Sequence, residues 1–172
     1  RVRGITVLDT FVFDSSLKAY AEWRRQLLAE SLGKSVDKKG NEGVFGPLPT
    51  VSTAADLHSV AQLYLSGARG IHTDFITLDT YGDTKVSTHP LIAAIPYLEG
   101  KTTSEVGDAL VRGVLESYKD QKLSYNEYRL EAVNEYELGA LMASNMLETM
   151  YAASCMNVDA FNQPNVELYK TK

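Results

Sequence analysis

The sequence predicts a three-layer α/β/α, doubly wound fold around a mainly parallel sheet of about four to five strands. One observation is that short β-branched and aromatic runs alternate along the chain with longer helical patterns, which is typical of β-α-β units with right-handed crossovers. A second is that 172 residues, 44% of them hydrophobic, are enough for one sizeable core. We therefore expect a single domain over residues 1–172.

The first strand and helix have the clearest signals. Residues 5–13 form an apolar run that suits a buried strand, and Asp14 follows as a helix cap. The next helix, predicted over residues 17–32, ends at Gly33. Glu30 lies in its last turn, where the helix dipole disfavours a carboxylate, so helix propensity does not explain it. A solvated surface glutamate is the simpler alternative. The predicted buried stripe of this helix consists of Tyr20, Trp23, Leu27 and Leu28.

A second unit begins with a strand predicted over residues 44–51. This strand becomes irregular at its carboxyl end, and ligands gather at such ends in open α/β sheets. Capping residues at 52–56 then open a helix predicted over residues 54–66. His58 falls in its first turn. Such a histidine is usually a surface or capping residue, although a helix N-terminus also favours the neutral, proton-accepting imidazole.

The second half of the chain continues the alternation. A third strand is predicted over residues 72–79, and a capping box at 102–105 opens a helix that runs to about residue 119. An edge strand over residues 123–130 precedes the last long helix, predicted over residues 135–156. The helix that begins at the capping box has a predicted buried stripe of Val106, Ala109, Leu110, Val114 and Leu115. The apolar face of the last helix, which we interpret as core packing, contains Leu138, Leu141, Met142, Met146, Met150 and Tyr151.

The other histidines, the single cysteine and the glycine pattern give no indication of a metal or cofactor site. His72 and His89 have no acidic or cysteine partner at ligand spacing, so we interpret both as structural. Neither a Walker loop nor a dinucleotide fingerprint occurs, and no cofactor is expected. Cys155, the single cysteine, is predicted to be a buried structural thiol.

Charge and hydropathy argue against two classes of partner. The net charge of -5 and the scattered lysines give no basic stripe, so nucleic acid is not expected. No apolar run approaches the roughly 20 residues that span a bilayer, and no signal segment opens the chain, so we expect a cytoplasmic protein without a membrane partner. The chain begins with Arg1 rather than Met, which suggests a processed product or a domain of a larger protein.

Three segments together resemble a known family. They are Gln-Leu-Leu-Ala-Glu-Ser-Leu-Gly-Lys at 26–34, Thr-Ala-Ala-Asp-Leu-His-Ser at 53–59 and Phe-Asn-Gln-Pro-Asn-Val-Glu-Leu-Tyr-Lys at 161–170. In this order and spacing they resemble the phosphoglucose isomerase family, and in particular its C-terminal sugar-isomerase (SIS) domain, which has a flavodoxin-like fold. The closing segment departs from the family signature at Asn165, where the family has Gly or Ala. The family's N-terminal domain, with its Ser/Thr phosphate cradle and Gly-Gly-Arg segment, has no counterpart here.

The resemblance implies an activity and a role for four residues. The family interconverts glucose 6-phosphate and fructose 6-phosphate through a cis-enediol intermediate, in glycolysis and gluconeogenesis. Glu30 would carry the proton between C2 and C1, and His58 would open the sugar ring from the neighbouring subunit of a homodimer. Lys170 would assist ring opening as a hydrogen-bond donor, and Gln163 would orient the sugar or its phosphate. Residues 1–172 would then be the C-terminal domain of a two-domain enzyme, with little or no activity alone.

Two other interpretations stay open at this point. One is a non-catalytic sugar-phosphate-binding module of the same fold, which would not need Glu30. The other is a scaffold or dimerisation domain whose loops are inert. Taken alone, the closing residues 157–170 would be a solvated C-terminus, since they are polar and follow a long helix.

Overall fold

A four-stranded parallel sheet forms the centre of the molecule. The computed structural model describes residues 4–67, 69–87, 95–163 and 165–166. The strands are β1 (Val7–Val12), β2 (Leu48–Thr53), β3 (Ile71–Leu78) and β4 (Ser124–Leu130). Their spatial order is β2-β1-β3-β4, and each neighbouring pair is parallel. The helices are α1 (Lys18–Leu32), α2 (Ala61–Ser66), α3 (Thr103–Asp120) and α4 (Glu135–Cys155).

This architecture confirms the predicted doubly wound α/β fold. β1 pairs with both β2 and β3, so the chain reverses its direction of winding there and places helices on both faces. α1 and α4 pack on one face around Val12, Tyr20 and Leu141. Because side chains alternate along a strand, Phe11 lies on the other face, where it packs with residues of α2 and α3 such as Tyr118. β4 lies at one edge of the sheet, as predicted.

The helix predicted over residues 54–66 is interrupted, so that prediction is wrong in its continuity. The expected capping box is present, but it opens a 3₁₀ helix over Ala54–His58. At the end of this helix the Ser59 hydroxyl bonds to the carbonyl and carboxylate oxygens of Asp56, at 3.3 and 3.1 Å. His58 lies in the last turn of this short 3₁₀ helix rather than in the first turn of a long α-helix.

The strand predicted over residues 44–51 begins later than expected, at Leu48. The chain first crosses the end of α1, where a Cβ atom on Gly46 would lie only 2.2 Å from the Leu32 carbonyl oxygen. Glycine permits this close approach of two backbones. Val44 meanwhile packs into a small core cluster at the end of α1. This stretch therefore closes one end of the domain instead of extending the strand.

The predicted apolar face of α4 is confirmed only in its first half, where Leu141 is buried and Leu138 and Met142 pack against the same core cluster. The inward stripe of α4, at four-residue spacing, consists of Leu141, Asn145, Thr149 and Ala153. Both polar members make hydrogen bonds: Tyr20 Oη donates to Asn145 Oδ1 at 2.6 Å, and Thr149 Oγ1 donates to the Asn145 carbonyl at 2.7 Å. The buried Nδ2 of Asn145 has no partner among the described residues. Three residues that were expected in the core are instead exposed by 43, 39 and 74%, namely Met146, Met150 and Tyr151.

α3 and the single thiol also depart from expectation. α3 buries Val111 and Tyr118. Ala109 and Leu110, which were predicted to be buried, are exposed and line an open apolar cavity of about 280 Å³ between α2 and α3. Cys155 is exposed at the end of α4, so the prediction of a buried thiol is wrong.

Candidate active site

Glu30 lies at the amino-terminal edge of the sheet, whereas ligands were expected at a carboxyl end. α1 connects the parallel neighbours β1 and β2, so it runs back against them and its last turn returns to the amino-terminal ends of the strands. The half-buried carboxylate accepts a hydrogen bond at Oε1 from Gln26 Nε2, at 2.9 Å. Its Oε2 accepts another from Gln163 Nε2, at 2.6 Å. Two amide donors therefore fix the orientation of this carboxylate.

The closing segment, taken from here on as residues 157–170, reaches Glu30 by turning back after α4. Asn157 adopts a left-handed backbone conformation with φ of 57°, which asparagine tolerates better than most residues. Its side chain donates to Asp37 at 3.1 Å, and its carbonyl accepts a bond from the Lys38 backbone N–H at 2.8 Å. The bond from Gln163 to Glu30 joins residues 133 positions apart. The described part of this segment is thus attached to the domain, although Gln163 itself is exposed.

Lys34 holds the closing segment against α1, a role that sequence reasoning missed. Its largely buried ammonium group donates to the carbonyl oxygens of Glu30 and Asn162, each at 2.5 Å. Burial lowers the pKa of Lys34, while the negative charges of Asp159 and Glu30 act in the opposite direction. A signal was present in the sequence, because a lysine that follows the glycine ending a helix can bond to the last carbonyls of that helix.

Glu30 and Gln163 line one cleft, with a volume of about 460 Å³. A volume in this range is typical of small-molecule sites. The polar lining comes from the end of α1, from the loop that follows it and from the closing segment. Its members include Lys34, Asp37, Lys38, Asp159 and Asn162. Such a mixture of hydrogen-bond donors and acceptors suits a ligand with several hydroxyl groups.

His58 lies at the other end of α1 from Glu30. The 3₁₀ helix that carries His58 follows the carboxyl end of β2 and lies beside the start of α1. The pKa of Asp56 in that helix is lowered chiefly by the Thr53 backbone hydrogen bond and also by the positive charge of Lys18. The 15 residues of α1 span roughly 20 Å at about 1.5 Å per residue. A single chain therefore does not bring the two predicted catalytic residues together.

Two of the predicted positions fall outside the described residues. They are Lys170, which was expected to assist ring opening, and His89, which was expected to be structural. Within the described ranges, no group of three or more His, Cys, Asp or Glu side chains could hold a metal ion. None of the helices in the described part of the chain has both the length and the apolarity needed to cross a membrane.

A second polar cluster lies in the interior beneath α1. Arg24 donates to Asp74 of β3 at 2.6 Å and to Thr10 of β1 at 2.7 Å, and all three residues are buried. His72 lies 3.2 Å from Asp74 and 2.7 Å from the Ser124 hydroxyl of β4, so it has an acidic partner within the core. Burial acts to raise the pKa of Asp74, but the hydrogen bonds and charges of His72 and Arg24 outweigh it and lower the pKa overall. The cluster fixes the helix that carries the predicted base.

Comparison with known proteins adds a decisive observation to this geometry. The family model described as phosphoglucose isomerase matches residues 1–172, which is the whole chain. The chain belongs to the phosphoglucose isomerase family. The glucose-6-phosphate isomerase of Mycoplasmopsis synoviae (strain 53) is 31% identical over 171 residues, covering 95% of this chain and 37% of that protein. That of Limosilactobacillus reuteri (strain DSM 20016) is 30% identical over 161 residues, covering 92% of this chain and 34% of that protein.

Solved structures share the fold seen here. A hypothetical protein from Thermus thermophilus matches with a TM-score of 0.89 and 27% identity, over 98% of this chain and 40% of that chain. A glucose-6-phosphate isomerase from Chlamydia trachomatis matches with a TM-score of 0.76 and 18% identity, over 98% of this chain and 34% of that chain, and shows the fold alone. The chain thus spans about a third of the length of the curated phosphoglucose isomerase relatives described above. The resemblance drawn from three sequence segments is confirmed, and the residue roles stay predictions.

Proposed function

We propose that this chain supplies the proton-transferring part of a glucose-6-phosphate isomerase, which interconverts glucose 6-phosphate and fructose 6-phosphate. The observation that carries the proposal is the 2.6 Å hydrogen bond from Gln163 to Glu30, because it joins two of the family-like segments in one cleft. The names of the relatives support the same activity. Such an enzyme would act in glycolysis and gluconeogenesis, in the cytoplasm.

Glu30 is the proposed base. Isomerisation moves one hydrogen between adjacent carbons, so a single carboxylate can remove the proton from C2 and return it to C1. As the C2–H bond breaks, its electron pair forms the C1–C2 double bond of the cis-enediol, and the former carbonyl oxygen takes up a proton. Gln26 and Gln163 hold the carboxylate in one orientation throughout. Gln163 can also accept a bond from a sugar hydroxyl through its amide oxygen.

We propose that His58 acts in the site of a neighbouring subunit, where it opens the sugar ring. This proposal is supported by the positions of Glu30 and His58 at opposite ends of α1 within one chain. A shared site of this kind requires at least a homodimer. The role of Lys170 as a donor in ring opening rests on the family resemblance, because that residue lies outside the described part of the chain.

We also propose that residues 1–172 are the C-terminal sugar-isomerase domain of a two-domain enzyme. The support is that the chain spans about a third of the length of its relatives. The phosphate cradle and the arginine that steadies the enediolate would then belong to the other domain. We expect little or no turnover from the purified 172-residue chain in a coupled assay. Near-normal turnover would contradict this division of the site.

The test of the proposed base is Glu30→Gln in the intact enzyme that contains this chain. Glutamine keeps the size of the side chain but cannot accept the proton, so kcat should fall by about 10²- to 10⁴-fold. Substrate binding should change by less than about tenfold, because the loss falls on the chemical step. Glu22→Gln, at an exposed position on the same helix, is the matched control and should keep kcat.

The same measurements separate the rival functions. A non-catalytic binding module would bind fructose 6-phosphate without turnover even as the wild-type protein. An inert scaffold would show neither binding nor turnover. If the wild-type enzyme were active and Glu30→Gln kept its kcat within about tenfold, Glu30 would not be the base.

A further inference from the structure

The 3₁₀ helix that carries His58 is short. It contains the residues Ala54–His58, and 3₁₀ turns have poorer hydrogen-bond geometry than α-helical turns. His58, at its end, is exposed. A side chain that moves protons in a reaction must nevertheless keep one position, because small displacements slow the chemical step. The contacts that fix this helix therefore determine where the imidazole of His58 lies.

Asp56 connects the two residues that flank this helix. Its Oδ2 accepts hydrogen bonds from the backbone N–H and the hydroxyl of Thr53, at 2.8 and 2.9 Å. Its Oδ1 accepts a bond from the Ser59 hydroxyl at 3.1 Å. The pKa of Asp56 is lowered, chiefly by the Thr53 backbone bond, so the group is ionised at neutral pH and both oxygens act as acceptors. One carboxylate thus joins residues on both sides of His58.

This turn is anchored to the body of the domain at two points. Thr53 is the last residue of β2, which pairs with β1 in the sheet. Leu57 packs against the buried cluster that contains Phe11. Because a 3₁₀ helix has about three residues per turn, neighbouring side chains point roughly 120° apart. With Leu57 directed inward, His58 is directed away from this cluster and toward the surface.

We propose that Asp56 is a positioning residue for ring opening, because its carboxylate holds the turn that presents the His58 imidazole at the surface. It acts through His58 and not on the sugar. This role rests on the proposed function, since it requires that His58 opens the sugar ring. It adds a chemical condition at residue 56, namely two acceptor oxygens at once, one for Thr53 and one for Ser59. A residue that only capped the helix would affect stability and not the step in which His58 takes part.

Steady-state kinetics of Asp56→Asn in the intact enzyme tests this role. Asparagine keeps the size of the side chain but has one acceptor oxygen, so it cannot serve both Thr53 and Ser59. We expect kcat to fall by about 10- to 100-fold and KM to stay within about threefold. The matched control is Glu105→Gln, which changes the capping-box carboxylate that accepts from the Thr102 backbone N–H at 2.8 Å, and it should keep kcat. Circular dichroism establishes that both variants are folded.

The double variant of Asp56→Asn with His58→Ala separates positioning from a merely structural effect. If Asp56 acts through His58, the kcat of the double variant should lie within about threefold of that of His58→Ala alone. Losses that multiply would overturn the proposal, as would an Asp56→Asn enzyme with the kcat of wild type. The single variants keep this failure distinct from failure of the proposed function. His58→Ala with unchanged kcat would contradict the role of His58, whereas a slow His58→Ala beside a fully active Asp56→Asn would contradict only the role of Asp56.

Discussion

Two buried aspartates, Asp9 and Asp74, differ in the ionisation state that their surroundings favour. Burial raises the pKa of Asp9, and hydrogen bonds from hydroxyl groups on β2 offset this only in part. Its Oδ2 is buried and has no hydrogen-bond partner within the described chain. Asp74 is also desolvated, but His72 and Arg24 lower its pKa overall. The stability of the protein should therefore depend on pH in opposite directions at the two residues.

Asp74→Asn should destabilise the chain most at neutral pH. The folded-state pKa of Asp74 lies below 3.8, so the stability from its carboxylate is fully present above that value and is lost as pH falls through the folded-state pKa. At pH 7 the substitution removes the buried partner of Arg24 and leaves it only the longer ion pair with Glu148, at 3.6 Å, so we expect a cost of up to about 3–5 kcal/mol. Urea unfolding from neutral to acidic pH should show the difference from wild type shrinking as pH falls.

Asp9→Asn is the control, because the contribution of Asp9 to stability should change with pH in the opposite direction. The folded-state pKa of Asp9 lies above 3.8, so its contribution is fully present below that value and is lost as pH rises through the folded-state pKa. The stability of this variant relative to wild type should therefore improve with rising pH. A loss in Asp74→Asn that did not change with pH would contradict the ionic role of that residue.

At the scale of elements, the closing segment depends on Lys34 for its attachment to α1. Lys34→Met keeps the length of the side chain but removes both bonds, to the carbonyls of Glu30 and Asn162. We expect the free energy of unfolding to fall by about 1.5–3 kcal/mol, because the lost bonds come from a charged donor. Amide hydrogen exchange of residues 157–163 should become faster.

Lys38→Met is the matched control, since Lys38 contacts Asn157 through its backbone N–H, which the substitution preserves. It should leave the exchange of the closing segment unchanged. Equal exchange rates in Lys34→Met and wild type would mean that other contacts hold the segment in place.

The sequence predicted the elements well and their buried faces less well. The strands and the long helices were found because each has a local period and local caps. The inward face of α4 could not be found locally, because Asn145 is accommodated by Tyr20, 125 residues away. The break before α2 was missed because the apolar pattern continues through it, while the bonds of the Ser59 side chain to Asp56 are not recorded by hydropathy.

The candidate site was predictable only in part. Glu30 and Gln163 were found through resemblance to a family, and the structure places them in contact. Lys34 was overlooked because only one of its carbonyl partners, Glu30, is local, while the other, Asn162, lies 128 positions away. The separation of His58 from Glu30 depends on the direction of α1 relative to the sheet, which follows from the strand pairing and not from the spacing of motifs.

At the scale of the whole molecule, the proposed sharing of Glu30 and His58 between two subunits predicts that inactive chains can complement each other. In the intact enzyme, Glu30→Gln and His58→Ala should each be nearly inactive as homodimers. Random mixing of the two chains makes half of the dimers mixed, and each mixed dimer has one site with both native residues. Activity should therefore recover to about a quarter of wild type, from the two-fold symmetry of the shared site.

A coupled assay on co-expressed chains measures this recovery. Two differently tagged copies of the Glu30→Gln chain, co-expressed in the same way, are the control. If Glu30 and His58 acted within one subunit, every site would lack one of them. The mixture would then stay at the activity of the separate variants.

The attachment of the closing segment also has a consequence for the order of folding. The bonds from Gln163 to Glu30 and from Lys34 to Asn162 join residues 133 and 128 positions apart. Closing such long loops is unfavourable until the intervening chain is ordered, so the sheet and the layer of α1 and α4 form first. The cleft is then completed last. Local unfolding of the closing segment, at a fraction of the free energy of global unfolding, would abolish the site while the sheet stays intact.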